Sequence, residues 1–162
     1  MATIRTEPLT RDTFAPFGQV IETAGAAHYP INAGNCERYH DLAPIELKGP
    51  NARPVISLMH SKGFALPFTL GMVERHPLGS QAFYPLSHDP FLVVVAPDIA
   101  GHPGTPRAFL TAPRQGVNIA INTWHGVLTP LGPEADFLCV DRAGDGSNLE
   151  EHHFAVPWQI ER

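Results

Sequence analysis

Three polar side chains capable of chemistry lie close together near the middle of the sequence: Glu74, His76 and Gln81. In an extended strand residues two apart share a face, so Glu74 and His76 point the same way. Residues 77–80 form a Pro-Leu-Gly-Ser turn, and a plain hairpin register after it brings Gln81 to the same end of the fold. A carboxylate and an imidazole among apolar neighbours are costly unless paired or hydrated. A metal, a ligand or a mutual hydrogen bond would each offset that cost.

The elements that position these residues are predicted to be strands, apart from one short helix near the start. Thr10 can cap that helix, Phe14 and Phe17 share its face, and Gly18 ends it. Short apolar runs separated by Gly- and Pro-rich turns follow, which is typical of strands. The predicted strands are 19–22, 55–60, 68–76, 81–85, 91–96, 107–111, 117–121 and 136–141. Because no helical crossovers separate them, we expect an antiparallel sandwich or barrel. The polar segment 144–162 is predicted to be an arm or a short terminal helix.

Composition limits the classes of protein to consider. The 162 residues fit one domain spanning 1–162, and a hydrophobic content of 43% is enough for a core. Only 17% of residues are charged, against about 25% in an average protein, so we expect self-association to cover part of the surface. The net charge of −5 argues against nucleic-acid and membrane partners. No signal peptide or membrane span is visible. The two cysteines indicate reduced thiols in a cytoplasmic protein rather than a disulfide framework.

Two motifs resemble those of the cupins. Glu74-x-His76, four residues and Gln81 occupy the place where a cupin has His-x-His, four residues and Glu. The later run Gly116-Val117-Asn118, followed by Trp124-His125-Gly126, resembles the second cupin motif, whose histidine completes a metal site. The segments 9–21, 37–43, 74–83 and 136–142 together are more specific, and they resemble the bacterial ureidoglycolate lyase family. This likeness runs from about Leu9 to Asp145, most of the chain.

The resemblance implies a fold and an activity. The fold is an all-β, cupin-like double-stranded antiparallel β-barrel of the jelly-roll type, with a short N-terminal helix, usually as a homodimer. The activity is that of a carbon–nitrogen lyase which splits (S)-ureidoglycolate into glyoxylate and urea during allantoin degradation in purine metabolism. The family is also described as nickel-stimulated. His76, His125 and Glu74 would be acceptable ligands for a divalent transition metal, whereas Gln81 would be a poor one. The alternative is a metal-free site in which the same residues move protons.

The chemistry of this reaction suits the residue types. The hydroxyl of ureidoglycolate must lose a proton and the leaving nitrogen must gain one, and no water is consumed. Glu74, His76 and His125 are therefore the expected catalytic residues. The amide of Gln81 carries both a donor and an acceptor, which suits recognition of the urea group. The remaining candidates for contact with the substrate are Arg38, Arg75, Asn32, Phe83 and Trp124.

These substrate-contact candidates differ in how the sequence places them. An arginine fork suits the substrate carboxylate, with Arg38 the first candidate and Arg75 the second. Strand alternation, however, points Arg75 away from Glu74 and favours a surface salt bridge. Two other functions stay open. One is a metal-dependent cupin enzyme acting on another small hydroxy acid or carbonyl compound, and the other is a non-catalytic cupin that binds glyoxylate.

Overall fold

The computed structural model describes residues 1–162 and consists almost entirely of strands. The helix α1 (Arg11–Phe14) is a single turn, and one 3-10 turn spans Asn32–Gly34. The strands are β1 (Thr3–Pro8), β2 (Gly18–Ile21), β3 (Tyr29–Ile31), β4 (Cys36–Arg38), β5 (Arg53–Ser61), β6 (Phe68–Arg75), β7 (Gln81–Pro85), β8 (Phe91–Ala96), β9 (Asp98–Ile99), β10 (His102–Pro103), β11 (Arg107–Leu110), β12 (Gly116–Ile119), β13 (Trp124–His125), β14 (Thr129–Pro130), β15 (Ala135–Ala143) and β16 (Glu150–Glu161).

Two sheets make up the body of the fold. Seven strands lie in the order β11-β1-β16-β6-β13-β8-β14, and an additional β11–β8 pairing closes six of them into a barrel. The second sheet has five strands in the order β2-β12-β7-β15-β5, and β3–β4 and β9–β10 form two separate hairpins. The expected all-β, cupin-like class is confirmed. The barrel sheet is not purely antiparallel, because β1 runs parallel to both β11 and β16, whereas all pairs of the five-stranded sheet are antiparallel.

The fold has two apolar cores. The barrel core is formed by side chains from the strands of the closed ring: Leu70, Val73, Leu92, Val94, Ala96, Ala108, Trp124 and Ile160, with Leu131 beside them. The second core lies between the barrel and the five-stranded sheet, and Phe83, Val93, Val95, Val117 and Phe137 belong to it. The central strand β8 serves both cores, since its alternate residues face opposite sides and all six are buried. We call the second core, between the barrel and the five-stranded sheet, the interlayer core.

The connection after β6 differs from the expected hairpin. β6 pairs with β13 and β16, whereas β7 pairs with β12 and β15, so the two strands belong to different sheets. Residues 77–80 therefore carry the chain across from the barrel to the five-stranded sheet. The predicted β6–β7 register is wrong. A turn motif in the sequence indicates that the chain reverses, but it does not decide whether the returning strand pairs or faces its predecessor.

The C-terminal segment also differs from the expectation. Instead of an arm or a helix, residues 150–161 form the longest strand, which pairs with β6 on one side and β1 on the other. Its register shifts between His153 and Trp158, in the stretch that contains Pro157. Proline has no N–H to give to a sheet ladder, and an irregularity of this kind accommodates it inside a paired strand.

The other predicted elements are found, but α1 ends at Phe14 rather than at Gly18, which begins β2. Thr10 caps α1 by accepting a hydrogen bond from Thr13 N, and Phe14 is fully buried. Each predicted strand is found, as β2, β5, β6, β7, β8, β11, β12 and β15, with ends that differ by no more than a few residues. No helix of the structure combines the length and apolar character that crossing a membrane requires.

Candidate active site

Two adjacent strands of the barrel wall bring Glu74 and His125 side by side. His125 of β13 is the register partner of Glu74 on β6 and of Val95 on β8. The preceding residues Val73 and Trp124 point into the barrel core, so Glu74 and His125 point the other way, towards the five-stranded sheet. Val95 belongs to the interlayer core, which agrees with this direction. The prediction that Glu74 and its neighbour Val73 point to opposite faces of β6 is thus confirmed.

Both histidines are held in one tautomer by backbone carbonyls. The Nδ1 of His76 lies 2.8 Å from the carbonyl oxygen of Asn148, and the Nδ1 of His125 lies 2.9 Å from that of Thr123. A carbonyl oxygen can only accept, so each Nδ1 carries the proton and donates it. In the neutral rings the Nε2 atoms are therefore free lone pairs. This is the usual means by which a protein fixes a histidine as a base or a ligand.

The free Nε2 atoms converge on one carboxylate oxygen. Glu74 Oε1 lies 3.9 Å from His76 Nε2 and 3.7 Å from His125 Nε2, and the two ring centroids are 5.1 Å apart. These distances exceed those of hydrogen bonds, and both buried Nε2 atoms lack any hydrogen-bond partner. Buried polar atoms are nearly always satisfied. Three lone-pair donors facing one another without a partner indicate a place for a proton, a cation or a substrate.

Burial keeps His125 neutral. The residue is only 2% exposed, and this burial lowers the pKa of His125 to about 4. The hydrogen bond to Thr123 opposes that change, while the nearby positive form of His76 adds to it. A histidine with so low a pKa is an unprotonated imidazole at neutral pH. Its Nε2 is therefore available to accept a proton or bind a metal.

The same residues fit a divalent metal ion. One oxygen of Glu74 and one nitrogen of each histidine lie within 4.8 Å of one another. Two imidazoles and a carboxylate form a donor set that divalent transition metals accept, and the two unpartnered Nε2 atoms are the atoms such an ion would satisfy. The structure is thus compatible with the metal site expected from the sequence.

Gln81 lies on the opposite layer. It begins β7, is 9% exposed, and pairs in register with Ile119 of the interlayer core. Its Nε2 donates to Asp141 Oδ2 at 3.1 Å. Phe83, two residues on, is buried in the interlayer core. Four residues separate His76 from Gln81, which limits their Cα atoms to about 18 Å apart.

The remaining sequence candidates lie elsewhere. Arg75 donates to Asp98 and Glu150 at 2.7 Å each and stacks 4.3 Å over the ring of Trp124. Both residues thus face the barrel side, opposite to His125, and Trp124 does not line the space beside that histidine. The arginine forms the salt bridges that strand alternation favoured. Arg38 and Asn32 are exposed on the β3–β4 hairpin, and the structure does not bring them to Glu74.

Three residues that support the site escaped the sequence reasoning. Asn148 accepts from His76 through its main chain and from Leu78 N through its side-chain oxygen, at 2.8 Å each. Thr123 orients His125, and Asp141 orients Gln81. Backbone acceptors leave no mark in a sequence. Only Asp141 carried a signal, because it lies in one of the segments that resemble the ureidoglycolate lyase family.

Comparisons with known proteins agree with that resemblance. A family model described as ureidoglycolate lyase matches residues 1–161. The chain is 59% identical to the ureidoglycolate lyase of Chelativorans sp. (strain BNC1) over 99% of its own length and 97% of the relative's. It is 61% identical to that of Mesorhizobium japonicum, over 99% and 98% respectively. The enzyme of Brucella melitensis biotype 2 is 52% identical, over 94% and 90%.

Among solved structures, a dTDP sugar isomerase from Desulfovibrio desulfuricans G20 is similar at 14% identity with a TM-score of 0.49, over 85% of each chain. The match of the family model over nearly the whole chain, together with relatives more than half identical over nearly their full length, is decisive. The chain belongs to the ureidoglycolate lyase family.

Proposed function

We propose that this protein is a lyase that cleaves (S)-ureidoglycolate to glyoxylate and urea, as a single domain acting on a small-molecule substrate in allantoin degradation. Family membership supports the activity. One observation supports the site: the unpartnered Nε2 atoms of His76 and His125 both face Glu74 Oε1. We assign catalysis to these three residues.

The reaction requires two proton transfers. A base removes the proton of the substrate hydroxyl, and the oxygen's electron pair forms the carbonyl of glyoxylate. The carbon–nitrogen bond breaks, its electrons stay on nitrogen, and that nitrogen takes up a proton to give urea. A neutral histidine with a free Nε2 suits the first transfer, and the resulting imidazolium suits the second. Glu74 lies within 3.9 Å of both Nε2 atoms and can stabilise the imidazolium or pass the proton between rings.

A divalent metal held by Glu74, His76 and His125 would make the substrate hydroxyl more acidic when bound. Nickel is the metal suggested by the family resemblance. In the metal-free site, the backbone acceptors at Nδ1 leave the Nε2 lone pair of each histidine free for the reacting group. Gln81, in the opposite layer, is proposed to bind the substrate, and buried Phe83 is proposed to form the apolar wall beside it.

The test is an assay of purified protein with ureidoglycolate, with and without chelator, following glyoxylate and urea together. We expect equal amounts of both products, and His125→Ala to lower kcat by about 10²–10⁴-fold. His153→Ala is the matched control, because His153 is 72% exposed and pairs only with Glu151, and it should keep full activity. Ammonia in place of urea would indicate an amidohydrolase. Tight binding without turnover would favour a glyoxylate-binding protein, and turnover of another hydroxy acid alone would favour a different enzyme.

We further propose that the protein is a homodimer that uses the outer face of the five-stranded sheet. Ile56 and Leu58 are 75% and 73% exposed there, and their register partners Val140 and Leu138 extend the apolar surface. Exposed apolar patches of this kind typically mark protein contacts, and a two-fold contact uses the same patch twice. In light scattering Leu58→Glu should yield a monomer, while Val156→Glu, at a site on β16 that is 63% exposed, should not. An unchanged mass for Leu58→Glu would contradict this surface.

We also propose that the protein is located in the cytoplasm. Cys36 and Cys139 are both free thiols, as is usual for proteins in a reducing compartment.

A further inference from the structure

The five-stranded sheet places a second carboxylate beside Gln81. Cys139 and Val140 of β15 are register partners of Phe83 and Ala82 on β7, so Asp141 comes next to Gln81. Gln81 Nε2 lies 3.1 Å from Asp141 Oδ2. A carboxylate accepts, so the amide nitrogen is the donor and the orientation of the amide is determined. Gln81 Oε1 is then the end left to accept a hydrogen bond from another molecule.

The Asp141 carboxylate has no cation as a partner. None of the ion pairs in the structure includes it. The adjacent Arg142 faces the other way and donates to the carbonyls of Lys48, Pro50 and Asp145. The Gln81 amide and the Cys139 thiol are its only side-chain donors, so this partly buried carboxylate retains lone pairs that can accept further hydrogen bonds.

The thiol beside Asp141 does not supply a charge either. Burial, followed by the negative charge of Asp141, raises the pKa of Cys139 to about 12. Cys139 is therefore a neutral thiol at physiological pH, packed in the interlayer core. The corner thus presents two kinds of acceptor, the Asp141 carboxylate and the free Oε1 of the Gln81 amide.

The corner lies at the same end of the fold as the catalytic residues. Gln81 starts β7 directly after the crossing turn from His76, and its register partner Ile119 ends β12 directly before the loop to His125. That loop is tied to His76, because Asn122 N donates to the His76 carbonyl at 2.9 Å. Gln81 and Asp141 therefore lie on the five-stranded sheet, in the layer opposite Glu74, at the end where the chain crosses from His76.

We propose that Asp141 binds the ureido end of the substrate, with Gln81 held beside it, and that this pair determines specificity for ureido compounds; the inference rests on the function proposed above. The ureido group carries three N–H donors, and the corner offers acceptors for them. A carboxylate would repel the carboxylate end of the substrate. Asp141 therefore also orients the molecule, with the ureido group towards β15 and the carboxylate away from it.

The experiment compares two competitive inhibitors. N-carbamoylglycine carries the ureido group but no hydroxyl to eliminate, whereas glyoxylate has no ureido group. In Asp141→Asn and Asp141→Ala we expect the inhibition constant for N-carbamoylglycine, and KM for ureidoglycolate, to rise about 10- to 100-fold. The inhibition constant for glyoxylate should change by less than about threefold. The variant Asp141→Asn is nearly isosteric, and it carries the test if Asp141→Ala does not fold.

The matched control is Asp136→Asn on the same strand. Asp136 lies on the outer face, where it pairs with His60 at 2.7 Å, and its substitution should leave both inhibition constants unchanged. An equal loss for both inhibitors, or none for N-carbamoylglycine, would overturn the role of Asp141. Failure of the wild-type protein to release glyoxylate and urea would instead overturn the proposed function, so the two failures are distinguishable.

Discussion

Acid should destabilise this protein through one buried histidine. The pKa of His125 is lowered from 6.5 to about 4, chiefly by burial. In the unfolded chain the same imidazole is solvated and takes up its proton with the ordinary histidine pKa of 6.5. Between these two values the unfolded state binds a proton that the folded state does not. The contribution to stability is therefore fully present above about pH 6.5 and is lost as the pH falls towards 4.

The size of the effect follows from the two pKa values. One pKa unit corresponds to about 1.4 kcal/mol, so a lowering from 6.5 to about 4 represents about 3 kcal/mol of unfolding free energy. This is a large part of the stability of an ordinary domain. Exposed His60 changes charge as well, but its hydrogen bond to Asp136 raises its pKa above 6.5, so its effect on stability falls at higher pH than that of His125. The comparison must therefore isolate His125.

The assay is urea unfolding of chelator-treated protein, followed by tryptophan fluorescence at several pH values from 7.5 to 4. His125→Asn keeps a polar side chain of smaller size that does not titrate. The difference in unfolding free energy between wild type and variant should shrink or reverse by about 3 kcal/mol across this range. Parallel stability curves for the two proteins would refute the reasoning, because His125 would then bind its proton equally in both states.

Three further outcomes are expected. Asn148→Ala removes the side-chain acceptor of the turn after β6, so the free energy of unfolding should fall by about 1 kcal/mol. We also expect kcat to fall by a larger factor than KM rises. Unchanged kinetics would contradict the positioning role of Asn148. Arg75→Met breaks two ion pairs, which should lower the free energy of urea unfolding by about 1–3 kcal/mol. The value of kcat/KM should stay within about threefold of wild type. A hundredfold loss would instead place Arg75 in the site. Iodoacetamide at pH 8 should alkylate exposed Cys36 and spare Cys139, as mass spectrometry of the digested protein can show; rapid labelling of Cys139 would contradict its burial.

Local patterns were sufficient to predict most of the strands. β7 and β8 begin and end where their apolar runs do, because turn residues bound them on both sides. Thr10 indicated the only helix for a similar reason, since capping is a contact between near neighbours. β1 and β16 were missed because their amphipathic patterns are weak and their pairing partners are distant in the sequence.

The location of the candidate site could also be inferred from the sequence. The two-residue spacing of Glu74 and His76 is a property of any strand, and it placed both on one face. Placing His125 beside them needed the family resemblance, because β13 and β6 are joined only by a long-range pairing. The same pairing directs Trp124 into the barrel, away from the site. Its position next to His125 in the sequence could not indicate this direction.

The all-β class, the family and the residue types that can transfer protons were predictable from the sequence alone. Those features depend on periodicity, turn chemistry and residue identity, which are local. The packing of the two layers was needed to show that β6 and β7 lie in opposite layers, that backbone carbonyls leave Nε2 of both histidines free, and that Asp141 holds the amide of Gln81. These features depend on contacts between segments far apart in the chain, because the closing of the barrel and the packing of the second sheet bring them together.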